Sequence, residues 1–488
     1  MPTYSTPGVY IEEISKFPPS VAAVATAVPA FIGFTERTTD ADGNSIINVP
    51  IRITSLLEFE QIFGRAPVQT FSVNVVQTLM AATGQITQTV VSHAGTPPTT
   101  PARFLYYSMQ LFFANGGGPC YVVSIGDLTA AVSTAGFTGA ITALEGFDEP
   151  TLLVFPDAVL LATNPNYGSV VSAALTHCDK LQDRFTISDV RNAIPGGTDD
   201  NTDVTNNFRN NVPSDIDLVK YGAAYFPYLN TTLPFNTNDT SITVAAHTVN
   251  SVAADGTVTA AAGSIGAGTA ISDDDVRVDE NAVYNAVKGF VSNVTVTLPP
   301  SGGVAGVYAR TDGNRGVWKA PANVSLLNVI GPTINITNDM NDGLNIDATS
   351  GKSVNAIRSF TGKGTLVWGA RTLAGNDNEN RYVPVRRFLI FAEESIKKAT
   401  AAFVFEPNDA NTWTKVRTMI ENFLIIQWRD GALAGAKPED AFYVSIGLNK
   451  TMSAQDILDG YMIVEIGLAI VRPAEFIVLR FAQKMQES

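Results

Sequence analysis

Hydrophobic positions change period several times along this 488-residue chain, and each change predicts an element. Residues 24–38 read as a buried strand running into a polar turn. A short helix is expected over residues 55–63, where Ser55 as N-cap and Glu58 three residues on have the spacing of a capping box. Residues 104–126 predict a helix, a glycine turn and a strand. Over residues 129–190 helical and apolar strand patterns alternate, with strands expected at 151–157 and 183–190 and a helix at 170–181. Residues 221–229 add a core strand and 279–291 a helix. This βαβ rhythm predicts an α/β layer with parallel strands. Two stretches break it. Residues 68–101, rich in Thr, Gln and Pro, are expected to be a loop-bearing insertion. Residues 233–275, poor in charge and rich in Thr, Asn, Ala and Gly, are expected to be a surface insertion of β or irregular structure.

The last quarter has its own pattern. Val385, Phe388, Leu389, Ala392 and Ile396 share one helical face, with Glu393 and Glu394 each four residues ahead of Lys397 and Lys398. Trp413, Val416, Ile420, Phe423, Leu424 and Gln427 line a second helix, which Gly431 is placed to stop. Met462, Val464, Ile466, Leu468 and Ile470 then alternate as a strand does. Past Pro473, Phe476, Ile477, Val478, Leu479, Arg480 and Phe481 form a last apolar strand close to residue 488. The other end is apolar too. Pro7 and Gly8 forbid a helix, and Val9, Tyr10, Ile11, Glu12, Glu13 and Ile14 favour an extended segment. Such a segment must pair with something. It is either an edge strand of its own domain or a strand donated to a neighbouring subunit.

Length implies two or more domains. Charged residues make up 16% of the chain, well below the usual quarter, which fits either a surface buried against other copies or a merely polar one. The net charge of -14 is uneven: from Asn355 onward 16 basic residues face 15 acidic ones, while the preceding residues hold 16 basic and 31 acidic. That acidity argues against non-specific nucleic-acid binding. If one region meets an acidic partner, it is the C-terminal one. Cys120 and Cys178 sit in apolar settings and read as buried free thiols of a protein made in a reducing cytoplasm. No signal peptide is expected, and residues 21–34 are too short and too interrupted to span a bilayer.

Several blocks then resemble one family. WGART, VPVRRFLIF, FEPN, W..GAL.G, AF.V and RPAEF, in that order over residues 364–481, resemble the C-terminal domain of contractile tail sheath proteins. PGVYIEE near the start, FF.NGG..CYVV, and PPSG..AG.YARTD..RGVWKAPAN over residues 299–323 are similar to other parts of these proteins. The ATAVPAFIGFT segment looks more like the sheaths of extracellular contractile injection systems than those of phage tails. The resemblance implies a mixed α/β (α+β) fold. Residues 1–20 would be an arm donated to neighbours and 21–115 the N-terminal part of the core. A subtilisin-like α/β domain would span 116–355 with an insertion at about 231–276. A sheath assembly domain would span 356–475, and residues 476–488 would form a C-terminal arm. It implies a homopolymer around an inner tube protein, with baseplate and terminal cap proteins as partners and neither nucleic acid nor membrane insertion. Assembly would occur in the bacterial cytoplasm, in a phage tail or an extracellular phage tail-like particle.

A subtilisin-like hydrolase and a non-contractile shell or adhesin are the rival readings. A serine nucleophile needs a base oriented by a carboxylate, yet His93 and His247 lie in loop-like segments and no G-x-S-x-G elbow occurs. His177 and Cys178 are sequence neighbours on a helix, so their side chains diverge. Gly351-Lys352-Ser353 lacks the first glycine of a phosphate loop, its place being taken by Ile346. The third glycine position after Gly362 and Gly364 is Val367. Asp273 to Asp275 read as a solvated turn rather than a cation site. No catalytic residue, cofactor or metal is therefore expected. Arg386 and Arg387, with Lys397 and Lys398, are candidate contacts to a neighbour or the tube. The alternative is that the two arginines pair with Glu393, Glu394 or Glu406.

Overall fold

The structure, a computed structural model, describes residues 21–480. Val9–Ile14 and Phe481 lie outside that range. Two compact units divide the described chain, residues 25–387 with 473–480 and residues 21–24 with 388–472. The division falls within the helix Val383–Thr400.

The larger unit is built on a nine-stranded sheet. Its order is Val324–Ser325, Gly364–Val367, Asn355–Phe360, Gly222–Phe226, Phe185–Asp189, Leu152–Val154, Pro29–Thr35, Cys120–Asp127 and Ile51–Ile53. The six strands from Asn355–Phe360 to Cys120–Asp127 run parallel, and antiparallel pairings flank them on both sides. Pro29–Thr35, Leu152–Val154, Phe185–Asp189 and Gly222–Phe226 are buried at every position, as expected where crossover helices cover both faces. Among those helices are Leu105–Ala114, Thr134–Ala143, Asn164–Leu181 and Ser301–Arg315. Two glycines let Ser301–Arg315 approach Leu105–Ala114 closely. A Cβ on Gly302 would sit 2.6 Å from the Ser108 carbonyl oxygen, and one on Gly306 would sit 2.5 Å from that of Phe112.

Several expectations need correction. The strand expected over 151–157 spans only Leu152–Val154, because a 3₁₀ turn at Pro156–Leu160 follows. The helix expected from 170 begins at Asn164, where the Thr163 hydroxyl accepts from the Asn166 amide. The strand expected over 221–229 is broken at Pro227, which has no N–H for a ladder. Leu229–Pro234 instead joins Thr295–Leu298 and Val329–Pro332 in a separate sheet. Ser55 does cap Leu56–Phe63, but the Glu58 carboxylate accepts from the Thr54 amide, one residue before the cap.

The largest correction concerns residues 68–101. They hold the strands Phe71–Met80 and Ile86–His93, paired antiparallel. Phe71–Met80 also pairs in parallel with Ile242–Val252 from the other insertion, which carries Val258–Ala262 on its far edge. The two insertions thus form one sheet. Phe71, Val73, Val75 and Gln77 are buried on alternate positions, a period the polar composition masks.

In the smaller unit, helix Ala410–Arg429 buries Val416, Met419, Ile420, Phe423, Leu424 and Gln427. The Phe423 ring lies 5.9 Å from that of Phe391. Asp409 caps the helix through the amides of Asn411 and Thr412, and Gly431 takes a φ of 89° just past its end. Phe442–Ile446 pairs antiparallel with Val464–Leu468. Residues 356–367, expected to open the assembly domain, belong to the nine-stranded sheet. The reason is pairing: Asn355 and Ala356 lie beside Tyr225 and Phe226.

Candidate functional site

Two features in the last fifty residues lack a covering element within the described chain. The first is the C-terminal run. Among the described residues, Phe476–Arg480 forms no strand within the chain. Phe476, Ile477, Val478 and Leu479 are 69%, 80%, 75% and 73% exposed. Four consecutive exposed large apolar side chains are a liability unless something covers them. Just before them Glu475 is held in the larger unit. Its carboxylate accepts from Arg371 Nη2 at 2.6 Å and Nε at 3.0 Å, Asn345 Nδ2 at 2.7 Å and Tyr382 Oη at 3.2 Å. Burial would raise its pKa, but these donors and the Arg371 charge hold it below the ordinary carboxylate value. This clasp is not visible from sequence spacing, since Arg371 and Glu475 are 104 residues apart. The only hint is an acid placed between Pro473 and an apolar run.

The second feature is the two-stranded sheet Phe442–Ile446 and Val464–Leu468. Among the described residues neither outer edge carries another strand. Unpaired edges offer free N–H and C=O groups to an incoming chain. Tyr443 and Ile463 expose apolar surface beside them.

The basic candidates separate. Arg387 is buried, with its guanidinium 3.0 and 2.6 Å from the two Asp312 carboxylate oxygens, on the Thr26 carbonyl at 2.8 Å, and over the Tyr308 ring. Arg386 is buried with its guanidinium 4.8 Å from the centre of the Tyr221 ring. Neither arginine presents its charge to a surface, and the acidic partner of Arg387 is Asp312 rather than any of the three glutamates considered. Lys397 and Lys398 are exposed, 3.1 and 3.5 Å from Glu394.

The chemical candidates have structural surroundings. His177 Nε2 lies 3.2 Å from Arg184 Nη1, and burial followed by that guanidinium lowers its pKa to about 4. Cys178 is buried against the Thr186 hydroxyl at 3.3 Å, and burial pushes its thiol up to about 12. His177 faces Arg184 and Cys178 faces Thr186, so a weakly basic imidazole and a thiol that resists ionisation are not set against each other as base and nucleophile. Lys352 points its ammonium at the carbonyls of Arg209 and Val212, 2.6 and 2.7 Å away. Gly362, in the turn after Asn355–Phe360, and Gly364, the first residue of Gly364–Val367, take positive φ. His247 contacts Gln77 within the insertion sheet, and the His93 ring packs on Phe290. Asp157 and Asp189 are among the buried carboxylates of the described residues. Asp157 accepts from the amides of Phe34 and Phe104, and Asp189 from that of Ser301 at 2.8 Å. Among the described residues no cluster of His, Cys, Asp and Glu could hold a metal, and no helix is long and apolar enough to cross a membrane.

The phage tail sheath C-terminal domain family matches residues 376–484. The chain is similar in fold to a solved chain of the anti-feeding prophage helical sheath in its contracted state. That match has 30% sequence identity and a TM-score of 0.63, and covers 99% of this chain and 100% of that one. The sheath complex of PVC, an extracellular contractile injection system, also in its contracted state, gives 28% and 0.61 over 99% of both chains. A chain of the six-fold symmetrised anti-feeding prophage baseplate gives 29% and 0.62 over 99% of this chain and 100% of its own. No curated protein sequence matches.

Proposed function

The chain belongs to the contractile tail sheath family as a structural subunit, and from that premise we propose how it assembles and acts. Copies join head to tail in contacts that do not close, which generates an open helix. The chain ends are the connectors. The run from Phe476 leaves one copy and adds as a strand to the open edge of Phe442–Ile446 or Val464–Leu468 in another, and residues 9–14 do the same from the other end. Backbone hydrogen bonds then hold the copies together, while alternate side chains fix register. The observation that carries this reading is that one chain holds both an exposed apolar run and a two-stranded sheet to which, among the described residues, no third strand is added.

A mesh joined in this way lets near-rigid subunits rotate and slide without separating. The sheath would assemble long around an inner tube protein, between baseplate and cap proteins, and shorten on triggering to drive the tube through a target envelope. Free energy stored in a bistable packing supplies the work, so the role is structural and needs no catalysis. Similarity to PVC and the anti-feeding prophage favours an injection particle over a phage tail. Lys397 and Lys398 are our candidates for an acidic tube surface. Electron micrographs of the purified chain test the reading: helical tubes are expected, and closed shells or persistent monomers would overturn it.

A further inference from the structure

The Glu475 clasp does more than satisfy a carboxylate. Glu475 is the last residue held by the body before the exposed run Phe476–Leu479. Its main partner, Arg371, is itself tied into the sheet by reciprocal bonds. The Arg371 amide donates to Asn355 Oδ1 at 2.8 Å, and Asn355 Nδ2 donates to the Arg371 carbonyl at 2.8 Å and the Ala224 carbonyl at 3.2 Å. Asn355 opens a strand paired in parallel with Gly222–Phe226. Asn345 closes the ring, giving its side-chain amide to Glu475 and its carbonyl to Arg371 Nη1 and the Ser353 hydroxyl. A continuous path of polar contacts, half-buried at Glu475 and buried from Arg371 inward, therefore runs from the base of the C-terminal run into the central parallel strands.

We propose that Glu475 fastens the C-terminal connector: its clasp fixes the point at which the run leaves the body and passes tension from a neighbouring copy through Arg371 and Asn355 into the sheet. The inference rests on the strand-donation reading of that run. Bidentate carboxylate–guanidinium geometry suits this task because it sets direction as well as strength. A run released from the clasp samples many directions, and the entropy of ordering it falls on each joining event. Glu475 is thus a positioning residue, acting through the run that follows it.

The test uses full-length subunits and two readouts, the unfolding temperature of the unassembled protein and the lowest concentration at which tubes sediment. Glu475→Gln should raise that concentration about tenfold or more, with the subunit still folded, and Tyr382→Phe should raise it by less. Ile477→Asp serves as the control on the connector itself. Assembly of Ile477→Asp at the wild-type concentration would overturn strand donation, and the clasp with it. Loss of assembly in Ile477→Asp beside wild-type assembly of Glu475→Gln would overturn the clasp alone. If Glu475→Gln fails to fold, Tyr382→Phe decides, and an unchanged concentration there overturns the proposal.

Discussion

Arg386 and Arg387 are adjacent basic residues near the start of one helix, and the sequence offers them equally to a partner surface. The structure turns both inward. Arg387 makes a two-pronged pair with buried Asp312 and stacks over Tyr308. Removing one member of such a pair leaves the other charge buried and uncompensated. Arg387→Met should therefore cost about 3–5 kcal/mol, read as a lower urea midpoint of the unassembled subunit; a loss below about 1 kcal/mol would contradict the role given to the pair. Asp189 carries a different signature. Burial, offset in part by Ser301, raises its carboxyl to about 7. The folded chain then keeps a proton that the unfolded chain releases from about pH 4 upward. This contribution to stability is full below pH 4 and is lost as pH rises through 7. Asp189→Asn cannot ionise, so its stability relative to wild type should rise between pH 5 and pH 8, by about 2.5 kcal/mol. Equal pH slopes for the two proteins would refute it. Neither role was legible in the chain, because both depend on residues brought together over more than seventy positions.

At the scale of elements, legibility followed the source of each signal. The parallel strands and the two long C-terminal helices declare themselves by period, since burial on one face or both dictates which positions are apolar. The hairpin at Phe71–His93 hid because its strand partner, Ile242–Val252, lies far along the chain, and Thr and Gln serve a half-exposed sheet as well as a loop. The break at Pro227 is local chemistry that a continuous apolar pattern overrides in reading. The C-terminal run shows the opposite case. Its apolar sequence reads as a strand, yet the chain supplies it with no partner among the described residues, and that mismatch is the strongest pointer to assembly. Ile477→Asp should leave the unfolding temperature of the isolated subunit within about 2 °C of wild type, since an exposed side chain contributes little to folding. The same change should abolish tubes in sedimentation. A large drop in unfolding temperature would show that the run is packed within its own chain.

The whole molecule joins a mostly acidic, sheet-centred body to a near-neutral C-terminal region. The larger unit carries the parallel sheet, both insertions and the Glu475 clasp; the smaller carries the open-edged strand pair. Family resemblance was readable in separate blocks of sequence, and the fold comparison extends it across nearly the full chain. What no motif displayed was the proposed division of labour, because a run without a strand partner and a sheet without a third strand are recognised only by what each lacks. The most direct measurement is a density map of the assembled tube at a resolution that traces strands. Strand donation predicts that the sheet of Phe442–Ile446 and Val464–Leu468 gains strands contributed by residues 9–14 and 476–481 of other copies. A sheet that stays two-stranded in the tube, with both chain ends folded back on their own subunit, would contradict it.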